Sequence, residues 1–291
     1  MSEDDLKKIK KDLQDLQKAL TEKSSEATAY KNQLIQFSAQ LDQIISKEYE
    51  QVQTLSALQK KLTPTETPQF PGFHISKKFV FGSKYGGDYF DIFEHEDKYR
   101  FGVLLASSSG YAMSALLLSL ILKMTHIMEA KKGAAPSLVL KQISEELKAL
   151  ANAKDQSQVL YGIIDRRKLT LNFCACGRIL GFYSSPFKGL MKISTDSAGL
   201  GSAQQPHFND IELELEPGGS LTFVTEGVLD LLTADEIAAE ISSKVGHKSV
   251  HDIRNDILVR AQIKSGLENP LRDQTVVVIE VKENIIKLAK S

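Results

Sequence analysis

Apolar residues near the start of the chain recur at steps of three and four positions. The repeat lies within residues 3–62, which contain no Gly or Pro, and it begins with Leu6, Ile9, Leu13, Leu16 and Leu20. A mean spacing of about 3.5 residues keeps one narrow apolar seam along a helix, which is typical of a coiled coil. The pattern predicts a coiled-coil helix over residues 1–63 and a homodimer formed through residues 6–62. A single helix lying against its own domain is the alternative interpretation.

Beyond this segment the spacing of apolar residues changes. Pro64, Pro68 and Pro71 predict a proline-rich linker over residues 64–71. Alternating apolar positions then predict strands at 158–164, 168–175, 190–195, 210–216, 220–225 and 275–281, and helical spacing predicts helices at 114–130, 137–153 and 247–263. Runs of strands interleaved with a few long helices indicate a layered α+β domain over residues 72–291.

Charge and composition exclude several classes of protein. The chain has 36 basic and 37 acidic residues and a net charge of −1, which leaves no overall field for nucleic acid or an anionic membrane. Residues 115–128 are the most apolar stretch, but Lys123 and His126 interrupt it, and a membrane span needs ~20 apolar residues. Cys174 and Cys176 lie in an alternating strand and predict buried thiols. Because no apolar leader opens the chain, we expect a cytoplasmic protein without a membrane span.

Acidic residues follow apolar strands or lie in turns at three places. Asp88 and Asp91 belong to Gly-Gly-Asp-Tyr-Phe-Asp at residues 86–91, Glu226 to Val-Thr-Glu-Gly-Val, and Asp273 to Leu-Arg-Asp-Gln-Thr. Carboxylates beside small residues suit hard divalent cations, which prefer oxygen ligands. Each acid taken alone is more typical of an ordinary turn.

The order of the motifs is more informative than any one of them. After the Gly-Gly-Asp segment come Ser-Ser-Ser-Gly-Tyr-Ala from residue 107, Glu-Pro-Gly-Gly from residue 216, Val-Thr-Glu-Gly-Val from residue 224 and Arg-Asp-Gln-Thr-Val from residue 272. With these segments, the chain from Leu58 onward resembles the bacterial metal-dependent protein phosphatases of the 2C type, the stress-response and sporulation serine phosphatases. The resemblance implies an αββα sandwich, in which two antiparallel sheets face each other between helical layers.

The resemblance also implies a metal site whose ligands can be checked one by one. In that family, four aspartates hold two Mn²⁺ or Mg²⁺ ions, which activate water for attack on phosphoserine or phosphothreonine. The four positions fall here, in chain order, at Asp88, Ser107, Glu226 and Arg272. Asp273 follows the last position and would need a one-residue slip of the strand to replace it. The family's Gly-His pair stands here as Gly177-Arg178.

Arg272 has the largest consequence for function. A permanent guanidinium cation where a divalent ion would bind repels that ion and pairs with Asp88 or Glu226 instead. The sequence therefore predicts a vestigial site that needs no cofactor, in a pseudophosphatase that binds a protein partner as a coiled-coil dimer. The family's partners suggest a serine-phosphorylated regulator, and Arg272 is itself a candidate contact for its phosphate.

Three other functions stay open. The domain is an active phosphatase if Asp88, Glu226 and Asp273 form a variant site, with Asp88 and Glu226 as ligands of Mn or Mg. It is a scaffold if the coiled coil carries the whole role. A serine hydrolase has little support, because no Gly-x-Ser-x-Gly elbow surrounds the serines at 107–109.

Overall fold

The computed structural model of the chain describes residues 68–83, 87–108, 133–150, 156–194, 197–202, 204–242 and 249–282. It also describes five isolated residues near the N-terminus, Leu13, Gln17, Lys18, Leu20 and Lys23, all of them helical. The chain divides into two compact units, Met1–Gln53 and Thr54–Ser291. The rest of the predicted coiled coil, most of the linker and the helix predicted at 114–130 lie outside the described residues.

The described part of the second unit contains ten strands. They are β1 (Phe73–Val80), β2 (Tyr89–Glu94), β3 (Arg100–Ser108), β4 (Ser157–Asp165), β5 (Thr170–Cys176), β6 (Leu180–Ser185), β7 (Gly189–Ile193), β8 (Ile211–Glu214), β9 (Ser220–Val224) and β10 (Gln274–Val281). One five-stranded sheet has the order β1-β10-β9-β6-β7 and the other the order β2-β3-β4-β5-β8. All the pairings are antiparallel.

Four helices are described: α1 (Pro136–Leu150), α2 (Glu226–Leu229), α3 (Ala234–Ser242) and α4 (Val250–Ser265). The longest, α4, begins with a capping box in which the Ser249 hydroxyl and the Asp252 carboxylate each accept a hydrogen bond from the other residue's backbone N–H. It ends at Gly266, whose left-handed φ of 63° suits a residue without a Cβ. Local sequence signals therefore define both ends of this helix.

The core lies in three apolar layers. Alternate residues of β10 show how they arise, because Val277 and Ile279 face the space between the sheets while Val276 and Val278 face α3 and α4. The outer face of the other sheet packs in the same way on α1, through residues such as Leu140. The layers are thus helix, sheet, sheet and helix, and the predicted αββα sandwich is confirmed.

Most of the predicted elements within the described residues match. The strands predicted at 158–164, 168–175, 190–195, 220–225 and 275–281 correspond to β4, β5, β7, β9 and β10, and the helices predicted at 137–153 and 247–263 correspond to α1 and α4. Cys174 and Cys176 are buried free thiols in β5. No helix in the described part of the chain is long and apolar enough to cross a membrane.

The strand predicted at 210–216 needed correction. Its observed extent is β8, which pairs only with β5 and so lies at the edge of its sheet. Its apolar residues are not evenly buried, because Ile211 is 39% exposed there. Leu215, just beyond the strand, is buried instead.

Candidate functional site

The predicted site positions come together at one end of the sandwich. Asp88 immediately precedes β2, and Ser107 is the second-last residue of β3, the strand that pairs with β2. Thr225 and Glu226 connect β9 to α2, while residues 272–273 lead into β10, the neighbour of β9. Both sheets therefore contribute side chains to a single polar cluster.

Asp88 lies at the bottom of this cluster, where it is only 1% exposed. Its Oδ2 accepts hydrogen bonds from the hydroxyls of Thr225, at 2.5 Å, and Thr275, at 2.8 Å. The Thr225 hydroxyl in turn accepts a hydrogen bond from the backbone N–H of Thr275, at 2.9 Å. The carboxylate thus sits among neutral donors of the chain.

These surroundings change the acidity of Asp88. Burial and the nearby carboxylate of Asp273 raise the pKa of Asp88 from 3.8 to about 7, even though the hydroxyls of Ser107, Thr225 and Thr275 lower it. Ser107 itself is fully buried. A neutral hydroxyl therefore faces Asp88 from the position where the family has an aspartate.

Asp273 is equally buried, at 1% exposure, but it is held by the backbone. Its Oδ1 accepts a hydrogen bond from the N–H of Gly82 at 2.7 Å, and its Oδ2 accepts from the N–H groups of Gly87 at 3.0 Å and Asp88 at 3.3 Å. Asp88 and Asp273 are called the inner carboxylates below. The carboxylate of Asp273 joins the start of β10 to the segments on both sides of residues 84–86.

Arg272 points to a different set of acids. Its Nη1 lies 2.5 Å from Glu226 Oε2, and its Nε lies 3.3 Å from Asp230 Oδ2. A close backbone approach makes this arrangement possible, because a Cβ at Gly227 would lie 2.0 Å from the carbonyl oxygen of Asp273. The guanidinium therefore pairs with Glu226, one of its two predicted acid partners, and not with Asp88.

Arg178 reaches the same two acids from the other side. Its Nη1 lies 3.6 Å from Glu226 Oε1 and 3.9 Å from Asp230 Oδ1, and its side chain is 61% exposed. The four residues Arg178, Glu226, Asp230 and Arg272 form the outer ion pairs. Their two cations and two anions balance, so the outer part of the cluster carries no net charge.

A pair of divalent ions requires several carboxylate oxygens that are open to metal. In the inner carboxylates, Asp88 Oδ2 accepts two hydroxyl bonds and Asp273 accepts three backbone bonds. Glu226 is neutralised by arginine, and Ser107 offers only a hydroxyl. Among the described residues, no three His, Cys, Asp or Glu side chains are grouped to hold an ion. The donor set described here does not fit a two-ion site.

Sequence reasoning did not identify several residues of this cluster. Thr225 and Thr275 stand next to predicted acids, at one and two positions from Glu226 and Asp273, and hydroxyls so placed are the signal that could have found them. Asp230 lies one helical turn after Glu226. Asp91, in contrast, lies outside the cluster and accepts a hydrogen bond from the Tyr89 hydroxyl.

The fold occurs in solved structures of bacterial phosphatases. The phosphatase domain of the cell fate determinant SpoIIE from Bacillus subtilis, solved with a fragment of its regulatory domain, superposes with a TM-score of 0.62 at 16% identity, covering 75% of this chain and 64% of that one. RsbX in complex with magnesium gives 0.60 at 15% identity, covering 74% and 98%. The RsbU and RsbW domains of Rv1364c from Mycobacterium tuberculosis give 0.60 at 16% identity, covering 75% and 62%.

The match thus spans less than two thirds of the length of two of these structures. No curated protein matches the sequence. The family model described as Stage II sporulation protein E (SpoIIE) matches residues 97–282, which is well over half of the 291 residues. Both the sequence match and the sandwich of two antiparallel sheets agree with a serine/threonine phosphatase-like domain of the 2C type. The chain belongs to the Stage II sporulation protein E (SpoIIE) family.

Proposed function

We propose that this protein is a pseudophosphatase, a signalling protein that keeps the 2C-type phosphatase fold without metal-dependent turnover and acts by binding a protein partner. The observation that carries the proposal is the contact of Arg272 with Glu226 at 2.5 Å. In the family pattern, both of these positions hold a metal ion. In this chain, the guanidinium supplies the positive charge that the ion would otherwise supply.

Electrostatics explains why the exchange removes the metal. A guanidinium is never deprotonated in a protein, so an incoming Mn²⁺ meets a fixed like charge. To bind, the ion would have to separate Arg272 from Glu226 and Asp230 and also displace the hydroxyl donors of Asp88. Ser107 is neutral, so it would not offset the free energy lost when these ion pairs and hydrogen bonds break.

A paired measurement of metal binding and turnover tests the proposal. We expect calorimetric titration of the protein with Mn²⁺ at neutral pH to show no tight binding, and a phosphoserine peptide to stay intact. The double substitution Ser107→Asp and Arg272→Asp is expected to create Mn²⁺ binding, because it restores two carboxylates at family positions. Tight binding or turnover by the unchanged protein, lost in Asp88→Asn, would overturn the proposal.

The active alternative has one observation in its favour. Asp88 and Asp273 lie close enough for the charge of Asp273 to raise the pKa of Asp88. Two adjacent carboxylates could therefore hold a single Mn or Mg ion, with Glu226 as a further ligand if Arg272 moved away. The same assay decides, since this function requires turnover that depends on Mn²⁺ and on Asp88.

The proposed dimer rests on the seam of the N-terminal segment. Leu13 and Leu20 both belong to that seam, and they are 55% and 73% exposed in the single chain. A second helix would remove these apolar side chains from water. We expect sedimentation to show a dimer that Leu13→Lys with Leu20→Lys converts to a monomer. The matched control is Gln17→Lys with Lys18→Gln, which leaves the seam unchanged.

The protein partner is proposed to be a serine-phosphorylated regulator, in a cytoplasmic setting that keeps Cys174 and Cys176 reduced. A variant that lacks residues 1–63 tests whether the protein binds a partner through its globular domain or acts only as a scaffold. A partner-binding domain keeps its intrinsic affinity and loses only the gain from two linked sites, whereas a scaffold loses its role altogether.

A further inference from the structure

A cavity of about 450 Å³ lies beside the outer ion pairs, on the helix-covered face of the first sheet. It opens between the β6 and β7 strands and the turn that joins α2 to α3. Residues from the approach to β6, from the edge strand β7 and from this turn line it, and they include Arg178, Lys192, Asp230 and Leu232. Its volume falls within the range of small-molecule sites, about 300 to 1,000 Å³.

The cavity wall carries more positive than negative charge. Arg178 and Lys192 supply two cations, and Asp230 supplies the one anion. The nearest approaches of Arg178 to its acids, through Nη1 at 3.6 and 3.9 Å, are longer than hydrogen bonds, so its guanidinium can still donate to a ligand. Lys192 lies on the edge strand β7, and none of the ion pairs found among the described residues involves it. The wall is therefore complementary to an anion.

The backbone of Arg178 is held in place while its side chain is exposed. Its N–H donates a hydrogen bond to Gln158 Oε1 at 2.8 Å, and Gln158 is itself buried. The preceding Gly177 has a φ of 81°, and a Cβ there would lie 1.5 Å from the same Gln158 oxygen. Only glycine permits this approach, so the start of the Arg178 side chain is fixed before any ligand arrives.

One side of the cavity wall is apolar. Leu180 and Leu232 are buried members of the core under α3 and α4, and they also line the cavity. Leu229 and Leu231 pack against the same core while staying partly exposed. A ligand here would meet a compact apolar surface on one side and the two cations at its rim, which is the composition of small-molecule sites.

We propose that this cavity binds a small organic anion in which a carboxylate or phosphate is attached to a compact apolar group. The anionic group pairs with Arg178 and Lys192, and the apolar group packs on Leu180 and Leu232. This inference does not depend on the loss of metal-dependent turnover, because none of its contacts involves the inner carboxylates. Arg272 is not the anion contact, since both Glu226 and Asp230 already engage it.

Calorimetry of the full chain with phenyl phosphate tests the site, with benzyl alcohol as the neutral probe of similar size. We expect saturable binding of phenyl phosphate only. Arg178→Gln and Lys192→Gln should each weaken it about three- to tenfold, because each removes one charged contact. Asp230→Asn should strengthen it by removing the repelling charge. Lys188→Gln is the matched control, since Lys188 lies in the same β6–β7 hairpin but outside the cavity.

Two further binding measurements distinguish this site from the cluster around the inner carboxylates. Binding should persist in Asp88→Asn and in the presence of a metal chelator, which leave the cavity unchanged. The proposal is overturned if phenyl phosphate fails to bind at millimolar concentration, if benzyl alcohol binds equally well, or if Arg178→Gln and Lys188→Gln have the same effect. Loss of binding in Asp88→Asn with no change in Arg178→Gln would also overturn it, by placing the anion at the inner carboxylates.

Discussion

The inner carboxylates and the outer ion pairs lie at the same end of the sandwich, yet they are held in different ways. Asp88 and Asp273 are buried and are satisfied by hydroxyl and backbone donors, which are neutral. Glu226 and Asp230 are satisfied by the charges of Arg272 and Arg178 nearer to the surface. The inner pair is therefore held by uncharged donors within the fold, whereas the outer set is held by charge pairs nearer to solvent.

The difference is consistent with the proposed loss of the metal, because each acid has another source of compensation. Removing an ion from buried carboxylates leaves uncompensated charge, which costs several kcal/mol unless protons or donors replace it. At Asp88 a raised pKa and hydroxyl donors supply the replacement, and at Glu226 an arginine does. The charge of the buried acid is thus compensated by a proton and hydroxyl donors, and the charge of the acid nearer to the surface is compensated by an arginine.

The largest effect is expected where the backbone depends on a carboxylate. Asp273→Ala would leave the buried N–H groups of Gly82, Gly87 and Asp88 without their acceptor and should lower the free energy of unfolding by about 4 kcal/mol. Urea denaturation measures this. Asp273→Asn should recover part of the loss because it keeps one oxygen, and Asp230→Ala should cost under about 1 kcal/mol because that side chain is 42% exposed. Equal losses at both positions would contradict the distinction between inner and outer groups.

The next effect is a pH dependence that belongs to Asp88. Its pKa rises from 3.8 to about 7 on folding, so the folded protein binds that proton more tightly than the unfolded chain does. The folded state is therefore most stable, as far as Asp88 is concerned, below about pH 4. This contribution to the free energy of unfolding is lost as the pH rises to about 7. Asp88→Asn stays neutral and should therefore gain about 3 kcal/mol relative to the wild type across this window.

Paired urea denaturation curves at pH 4 and pH 7.5 check this expectation for Asp88→Asn. Glu214→Gln, on the exposed edge strand β8, serves as the control for removing one carboxylate. A difference between Asp88→Asn and the wild type that is the same at both pH values would show that Asp88 is not the group that titrates.

Much of the fold could be predicted from the sequence, and the exceptions have physical causes. Helix α1 has clear helical spacing, the buried Val250, Ile253, Ile257 and Ala261 of α4 recur at steps of three and four, and β10 is a run of Val and Ile that suits a strand buried on both faces. Strand β3 is also buried on both faces, so it lacks the alternation that marks a half-buried strand. Helix α3 has only nine residues, too few for its period to stand out.

The site could be predicted in its positions, but among its contacts only the pairing of Arg272 with an acid was expected. The motif order located Asp88, Glu226, Arg272 and Asp273, and the structure brings them to one end of the sandwich. That Asp273 would accept backbone hydrogen bonds could not be read from its neighbours in sequence, because the donors lie in the segment before β2. Likewise, only the three-dimensional fold brings Arg178 to Glu226.

The smallest expected effect distinguishes the two arginines. Arg272 is 23% exposed and lies 2.5 Å from Glu226, whereas Arg178 is 61% exposed and lies 3.6 Å from it. Arg272→Gln should cost about 1 to 2 kcal/mol of unfolding free energy, because it leaves a Glu226 carboxylate that is only 11% exposed with one distant cation. Arg178→Gln should cost under about 0.5 kcal/mol, since solvent screens it.

Adding Glu226→Gln to Arg272→Gln removes the unpaired carboxylate and should restore most of the stability, which thermal and urea unfolding of all four proteins would show. If Arg178→Gln proved the more costly of the two single changes, then Arg178 would be the residue that neutralises Glu226. Arg272 could in that case be removed without leaving a buried charge unpaired, and its guanidinium would not be the group that replaces the charge of the metal.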